Sequence, residues 1–118
     1  MAYAAFVEPD TILDHPATRA EQGQDQAIIE RLSQYHAHLV SALGRLDDRE
    51  AFRNAIVGAM RLLGYTAAEI SQEFNCSRMT VHRWAQGEAA PFAGMRRVIF
   101  EKLQGKTRRR LRALTKAA

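Results

Sequence analysis

The sequence predicts an all-α fold of about four helices, with an extra amphipathic helix on the N-terminal side and a basic C-terminal tail. Apolar residues recur at spacings of three and four in several segments, which is typical of helices with one buried face. Runs of β-branched residues are few, and the seven Gly and three Pro mark breaks between the segments. With 118 residues and a hydrophobic content of 47%, we expect one domain with a modest core.

Charge is segregated along the chain. Residues 1–48 hold eight of the 13 acidic residues and three of the 17 basic ones, so residues 49–118 hold the other five acidic and 14 basic residues. A basic half joined to an acidic half indicates a nucleic-acid-binding region beside a region with another role. The alternative is a basic surface that is only solvated.

Composition argues against several other classes. The single Cys and four scattered His show neither a disulfide framework nor a zinc spacing. No apolar run approaches the length of a membrane span, and the N-terminus lacks a signal-peptide core, so we expect a cytoplasmic, nucleoid-associated protein. We see no phosphate-binding loop and no nucleophile paired with His. Asp47 and Asp48 are adjacent and diverge, which fits capping better than chemistry, so we expect no enzyme activity, cofactor or metal.

Residues 1–23 show no sustained period and carry Pro9 and Pro16. We interpret them as an N-terminal arm or loose cap, with room for one short helix after Pro16.

Residues 24–48 contain an amphipathic helix from Gln24 to Leu43, which Gly44 is placed to end. Its apolar stripe comprises Ala27 or Ile28, Leu32, Tyr35, Leu39, Ala42 and Leu43. We favour a dimerisation element here, while a helix packed across the monomer core is the alternative. His36 and His38 are two residues apart and therefore cannot share a metal.

Residues 49–104 form the predicted DNA-binding domain. Its first helix is capped by Asp47 or Asp48, runs to Leu63 and is closed by Gly64. The inner positions of this helix are Phe52, Ile56, Ala59, Met60 and Leu63.

The segment from Thr66 to Trp84 predicts two short helices joined by a sharp turn, a helix-turn-helix. Thr66 and Glu69 have the spacing of a capping box, and Ser77 is a good N-cap for the second helix. Asn75 tolerates the positive φ that the turn requires. The predicted inward residues are Ala67, Ile70, Ser71, Phe74, Cys76, Thr80, Val81 and Trp84.

This motif resembles the Cro/C1-type (lambda-repressor-like) helix-turn-helix family. The match rests on inward Ile70, Phe74, Cys76, Val81 and Trp84 and on the exit Trp84-Ala85-Gln86-Gly87 followed by Pro91. Ser71 stands where the family usually has alanine, and Asn75 where it usually has glycine. The resemblance covers roughly Glu50 to Leu103.

The resemblance implies that the second helix of the motif reads DNA. The family's reading positions fall on Arg78, Met79 and Arg83, and His82 also points outward. Arginine can donate two hydrogen bonds to guanine, and Met79 can lie against a thymine methyl. For Arg83 the alternative is a phosphate contact, and for Met79 a packed side chain. Phosphate contacts are predicted for Thr66, Ser77 and Thr80 at the helix starts.

After Gly87 the sequence predicts a last helix from about Phe92 to Leu103. Its inner stripe is Met95, Val98, Ile99 and Leu103, and Arg96, Arg97 and Lys102 are predicted to hold phosphates. The tail, residues 105–118, is predicted to be too charged to bury, although Leu111 and Leu114 allow a continued helix. Lys106, Arg108, Arg109 and Arg110 could follow the DNA backbone or enter a minor groove. A solubility role or an acidic partner is the alternative.

Together these features predict a sequence-specific regulator that binds double-stranded DNA, a homodimeric repressor of bacterial or phage type. One alternative is a DNA-loading adaptor such as a phage terminase small subunit. Another is an antitoxin-like autoregulator that holds a protein partner through residues 1–48.

Overall fold

The computed structural model describes the backbone of residues 16–117 and the side chains of residues 23–116. These residues form five helices and no strand, which confirms the all-α prediction of an added helix followed by four. The helices are α1 (Pro16–Leu43), α2 (Arg49–Leu62), α3 (Ala67–Glu73), α4 (Arg78–Gln86) and α5 (Ala93–Ala117).

Helix α1 begins earlier than the sequence pattern suggested. It starts at Pro16 and not at Gln24, so residues 16–23, the last third of the predicted arm, are helical. Proline suits the first turn of a helix because its fixed φ is helical and its missing N–H would have no partner there. The rest of the predicted arm, residues 1–15, lies outside the described residues.

The apolar stripe of α1 is buried within a single chain from Leu32 to Ala42, whereas Ala27 and Ile28 at its N-terminal end are exposed. Leu32, Leu39 and Ala42 have no exposed surface. The Tyr35 hydroxyl donates to the carbonyl oxygen of Ala55 on α2, at 2.5 Å. This face of α1 contacts α2 and α5, as in the alternative of a helix packed across the monomer core, and dimerisation through α1 stays a prediction.

The ring of Phe52 on α2 packs against aromatic rings of α4 and α5. Phe52 of α2 meets Trp84 of α4 edge-on, with ring centroids 5.4 Å apart, and Phe100 of α5 at 5.9 Å. Asp48 fixes the start of α2 by accepting from the Ala51 amide at 3.1 Å. Edge-to-face aromatic pairs add roughly 0.5–1.5 kcal/mol beyond the area they bury. The orientation of α4 is thus set by its packing on α2.

Helix α5 continues without a break through the predicted tail. It spans 25 residues, and Thr107 inside the predicted tail is fully buried, with its hydroxyl donating to the Leu103 carbonyl at 2.7 Å. Residues 105–117 therefore continue α5, as Leu111 and Leu114 allowed, and the buried Thr107 contradicts the prediction that this segment is too charged to bury.

The buried stripe of α5 also differs from the predicted one. Val98 was predicted to face inward but is 45% exposed, whereas Phe100 is fully buried. The stripe runs through Ile99, Phe100, Leu103 and Thr107 because α5 packs along α1 over much of its length.

Helices α1 and α5 extend past α2. Their 28 and 25 residues correspond to about 42 and 37 Å, against about 21 Å for the 14 residues of α2. Tyr35 contacts Ala55 while His38 contacts Ala51, so α1 runs antiparallel to α2. Phe100 lies near Phe52 and Lys106 near Tyr65, so α5 runs with α2. The N-terminal half of α1 and the C-terminal half of α5 therefore protrude as a two-helix extension.

Candidate nucleic-acid interface

The start of α3 is held by a capping box. The Glu69 amide donates to the Thr66 hydroxyl at 3.1 Å, and the Thr66 amide donates to the Glu69 carboxylate at 2.9 Å. Both contacts follow the predicted pairing. Such a cap contributes about 1 kcal/mol, which matters for a helix of only seven residues.

The turn between α3 and α4 depends on one residue in the left-handed region. Asn75 has φ of 55° and is the single described non-glycine residue with positive φ. The Cys76 amide then donates to the Ser71 carbonyl at 2.9 Å, which closes the turn. Asn75 therefore has the positive φ that was predicted for it, at the position where the Cro/C1-type family usually has glycine.

The hydroxyl of the buried Ser71 has a hydrogen-bond partner. Its side chain is 8% exposed and donates to the Ala68 carbonyl at 2.7 Å. Cys76 is half-buried against the core, as predicted, and burial raises the pKa of its thiol. Both departures from the family pattern are therefore compatible with a closed turn.

Helix α4 is bounded by a residue-specific signal at each end. The Ser77 hydroxyl accepts from the Thr80 amide at 3.0 Å, and Gly87 ends the helix with φ of 78°. A Cβ at Gly87 would lie 3.0 Å from Cδ of Arg53, so both conformation and space favour glycine. The length and position of α4 are thereby fixed.

Helix α4 has one buried face and one free face. Val81 is fully buried and Trp84 is 3% exposed, which confirms Trp84 as a core residue. The four predicted base-reading residues, Arg78, Met79, His82 and Arg83, are all exposed. At 100° per residue they lie within an arc of about 140°. Met79 is 60% exposed, so the packed alternative for this residue is wrong.

The hydroxyl residues predicted to hold phosphates have partners within the chain. Thr66 and Ser77 serve as caps, and the Thr80 hydroxyl lies 2.9 Å from that of Ser77. Their phosphate contacts stay predictions, and the structure gives each of them a local role in addition.

The basic residues of α5 fall into two groups. Lys102, Lys106 and Arg109 line an open groove of about 350 Å³ together with Glu73 at the end of α3, Glu101 and Gly105. Arg97, Arg108 and Arg110 are exposed outside that groove. Arg96 is partly buried, and its Nε has no hydrogen-bond partner, so it does not lie on the outer side as predicted.

Lys106 makes contacts that the sequence pattern did not indicate. Its ammonium lies 3.8 Å from the Glu73 carboxylate and 5.2 Å from the centre of the Tyr65 ring. Interaction with the Tyr65 side chain, followed by the charge of Glu73, raises the pKa of Lys106. Lys106 thus joins α5 to α3 and the loop before it, a contact that no local signal could have revealed because its partners lie over 30 residues away.

No family model, curated protein or solved structure matches the chain. The case for a function therefore rests on the residues themselves. Among the described helices, none is long and apolar enough to cross a membrane. Within the same residues, no group of three or more His, Cys, Asp or Glu is placed to hold a metal ion.

Proposed function

We propose that this protein is a sequence-specific regulator that binds double-stranded DNA through the exposed face of α4. The observation that carries the proposal is that this nine-residue helix has one buried face and one exposed face. Val81 and Trp84 anchor it to the core, while Arg78, Met79, His82 and Arg83 stand free on the other side. A helix held in this way can be inserted into the major groove, which is wide enough to admit it.

The chemistry of the free face suits base edges. Arg78 and Arg83 can each donate a pair of hydrogen bonds to O6 and N7 of guanine, and the flexible Met79 can contact a thymine methyl. His82 can reach a base or a phosphate. We therefore expect a half-site that contains guanine.

The exposed arginines of α5 supply affinity for the DNA backbone. Four arginines of α5 are exposed, and none of them takes part in an ion pair among the described residues: Arg97, Arg108, Arg109 and Arg110. Contacts to phosphate position a protein on the duplex without reading its sequence. Partial burial of Arg96 and the contact of Lys106 with Glu73 make these two residues weaker phosphate ligands than their sequence positions suggested.

The proposed regulator is a cytoplasmic, nucleoid-associated homodimer that represses by occupying its operator. A dimer places two copies of α4 on successive turns of DNA and multiplies a weak contact. Its interface must use a surface other than the buried stripe of α1. Light scattering should give twice the monomer mass, and a ring of many subunits would instead indicate a DNA-loading adaptor. The proposed role involves binding alone and needs neither catalysis nor a cofactor.

Selection from a random duplex library tests the proposal directly. Repeated rounds should enrich one motif, and the selected duplex should bind roughly 10³-fold or more tightly than a scrambled duplex at physiological salt. Arg49, an exposed arginine of α2 outside the proposed interface, provides the matched control as Arg49→Ala. Failure to enrich any motif would show that the protein does not read sequence.

A further inference from the structure

Helices α1 and α2 leave an open groove between them that none of the proposed DNA-contacting residues lines. The groove has a volume of about 430 Å³. Its polar lining comes from Arg31, Gln34 and His38 on α1 and from Asn54 and Arg61 on α2.

The floor of this groove is apolar and is shaped by Gly58. A Cβ at Gly58 would collide with the ring of Tyr35, so the glycine allows that ring to lie directly against α2. The Tyr35 hydroxyl is directed to the Ala55 carbonyl, and burial raises its pKa, so it stays a protonated donor there. With Val57 and Leu62 also lining the groove, its floor offers a surface for an apolar group.

The rim of the groove is cationic and has no compensating acid. Arg31 and Arg61 come from different helices, and no carboxylate is among the residues that line the groove. The ion pairs made by described arginines involve Arg45 and Arg53, so neither groove arginine is neutralised by a described side chain. Two unpaired guanidinium groups beside one groove favour an anion, because each can donate a forked pair of hydrogen bonds to an oxyanion.

His38 adds a hydrogen-bonding ring to the lining. His38 Nε2 lies 3.0 Å from the Ala51 carbonyl oxygen, which can only accept, so Nε2 is the donor. This contact fixes the ring against α2 and leaves Nδ1 for another partner. The side-chain amides of Gln34 and Asn54 add further donors and acceptors at the groove.

We infer that this groove binds a small organic anion, an oxyanion carried on an apolar body, with the oxyanion at Arg31 and Arg61 and the body on the floor at Tyr35 and Gly58. The inference concerns a surface separate from the exposed face of α4 and does not depend on DNA binding.

The test is a titration of the ¹⁵N-labelled full-length protein followed by amide chemical shifts. The probes are benzoate and phenyl phosphate, with inorganic phosphate as the anion without a body and benzyl alcohol as the body without a charge. The matched variants are Arg31→Gln and Arg61→Gln in the groove and Arg49→Gln on the exposed start of α2. The spectra also show whether each variant is folded.

We expect saturable shifts confined to residues around the groove with benzoate, phenyl phosphate or both. Each groove variant should weaken binding by about tenfold, as expected for one lost charge-assisted hydrogen bond, while Arg49→Gln binds as the parent does. Benzoate and phenyl phosphate together identify whether a carboxylate or a phosphate monoester is preferred.

Three results would overturn the inference. The first is no saturable shift with either aromatic anion. The second is equal response to inorganic phosphate spread over the arginines of α5, which would mean non-specific anion attraction. The third is perturbation of the groove by duplex DNA with displacement of the probe, which would make the groove part of a nucleic-acid surface.

Discussion

The α3–turn–α4 unit and the α1–α5 pair are stabilised in different ways. Helices α3 and α4 have seven and nine residues, and a specific residue fixes each boundary: Thr66, Asn75, Ser77 and Gly87. Helices α1 and α5 have 28 and 25 residues and are joined by a long packed seam. Helices shorter than about 12 residues are marginal alone in water, so caps and docking must hold the short pair.

Helices α3 and α4 need more precise placement than α1 and α5. A cap or a turn residue sets the position and direction of a short helix, and the exposed side chains of α4 are useful only if that direction is fixed. A long seam tolerates small adjustments because many contacts share the packing. We therefore expect core substitutions to affect the whole protein and boundary substitutions to affect the α3–turn–α4 unit more locally.

The largest effect is expected at Trp84, where α4 packs on α2. Trp84→Ala removes the ring that packs edge-on against Phe52, and it should lower the free energy of unfolding by about 3–5 kcal/mol. Urea denaturation followed by circular dichroism measures the change. Met79→Ala on the exposed face of the same helix is the control and should change stability by under about 0.5 kcal/mol. A Trp84→Ala protein of normal stability that only loses DNA binding would place the ring outside the core.

A substitution in the α1–α5 pair tests whether the α1 stripe is internal. Leu39→Ala should lower the free energy of unfolding by about 2–5 kcal/mol because Leu39 is fully buried. Val40→Ala, at a neighbouring position that is 48% exposed, should have a much smaller effect. If Leu39→Ala instead leaves stability intact and shifts the mass seen by light scattering, the stripe is an interface between copies.

Gly58 of α2 and Gly105 of α5 should respond to alanine in opposite directions. Gly58→Ala forces a methyl group against the Tyr35 ring and should cost about 1–3 kcal/mol of unfolding free energy. At Gly105 the nearest atom to a new Cβ is Nη1 of Arg109, at 3.8 Å, so Gly105→Ala should stabilise by up to about 1 kcal/mol through helix propensity. Thermal melting of the two variants measures the contrast. Equal shifts in melting temperature for both variants would show that α1 does not pack closely on Gly58.

The smallest of these effects is expected at the boundary of α3. Thr66→Ala removes the acceptor for the Glu69 amide and should cost about 1 kcal/mol. Thr115→Ala is the control, because its exposed hydroxyl bonds only within α5, to the Leu111 and Arg112 carbonyls. Hydrogen exchange should show faster opening of α3 in Thr66→Ala while α1 stays protected. Unchanged protection of α3 would mean that packing alone holds it.

Local signals in the sequence were sufficient for the short helices. The Thr66–Glu69 spacing, Asn75 and Ser77 each predict one backbone feature, and the structure has all three. The outward position of the α4 residues follows from the same periodicity, since Val81 and Trp84 mark the buried face.

The long helices could not be predicted as fully, because their limits depend on a partner. The charges after Gly105 suggested a segment too charged to bury, yet Thr107 is fully buried and Leu111 and Leu114 are partly buried. The sequence pattern alone does not show whether Val98 or Phe100 faces inward. Phe100 is buried because of where α1 and α2 lie. An amphipathic pattern likewise cannot tell an internal partner from a second copy. The α1–α2 groove has no signal in sequence, since Arg31 and Arg61 lie 30 positions apart.

We propose that α4 reads bases while α5 holds phosphates, and paired affinities can separate these two roles. Binding of the parent, Arg78→Ala and Arg110→Ala to the selected and the scrambled duplex should be measured by fluorescence anisotropy at several salt concentrations. We expect Arg78→Ala to lose about 1–3 kcal/mol on the selected duplex and much less on the scrambled one. Arg110→Ala should weaken both equally and reduce the salt slope by about one unit. Equal losses on both duplexes for Arg78→Ala would contradict base reading by α4.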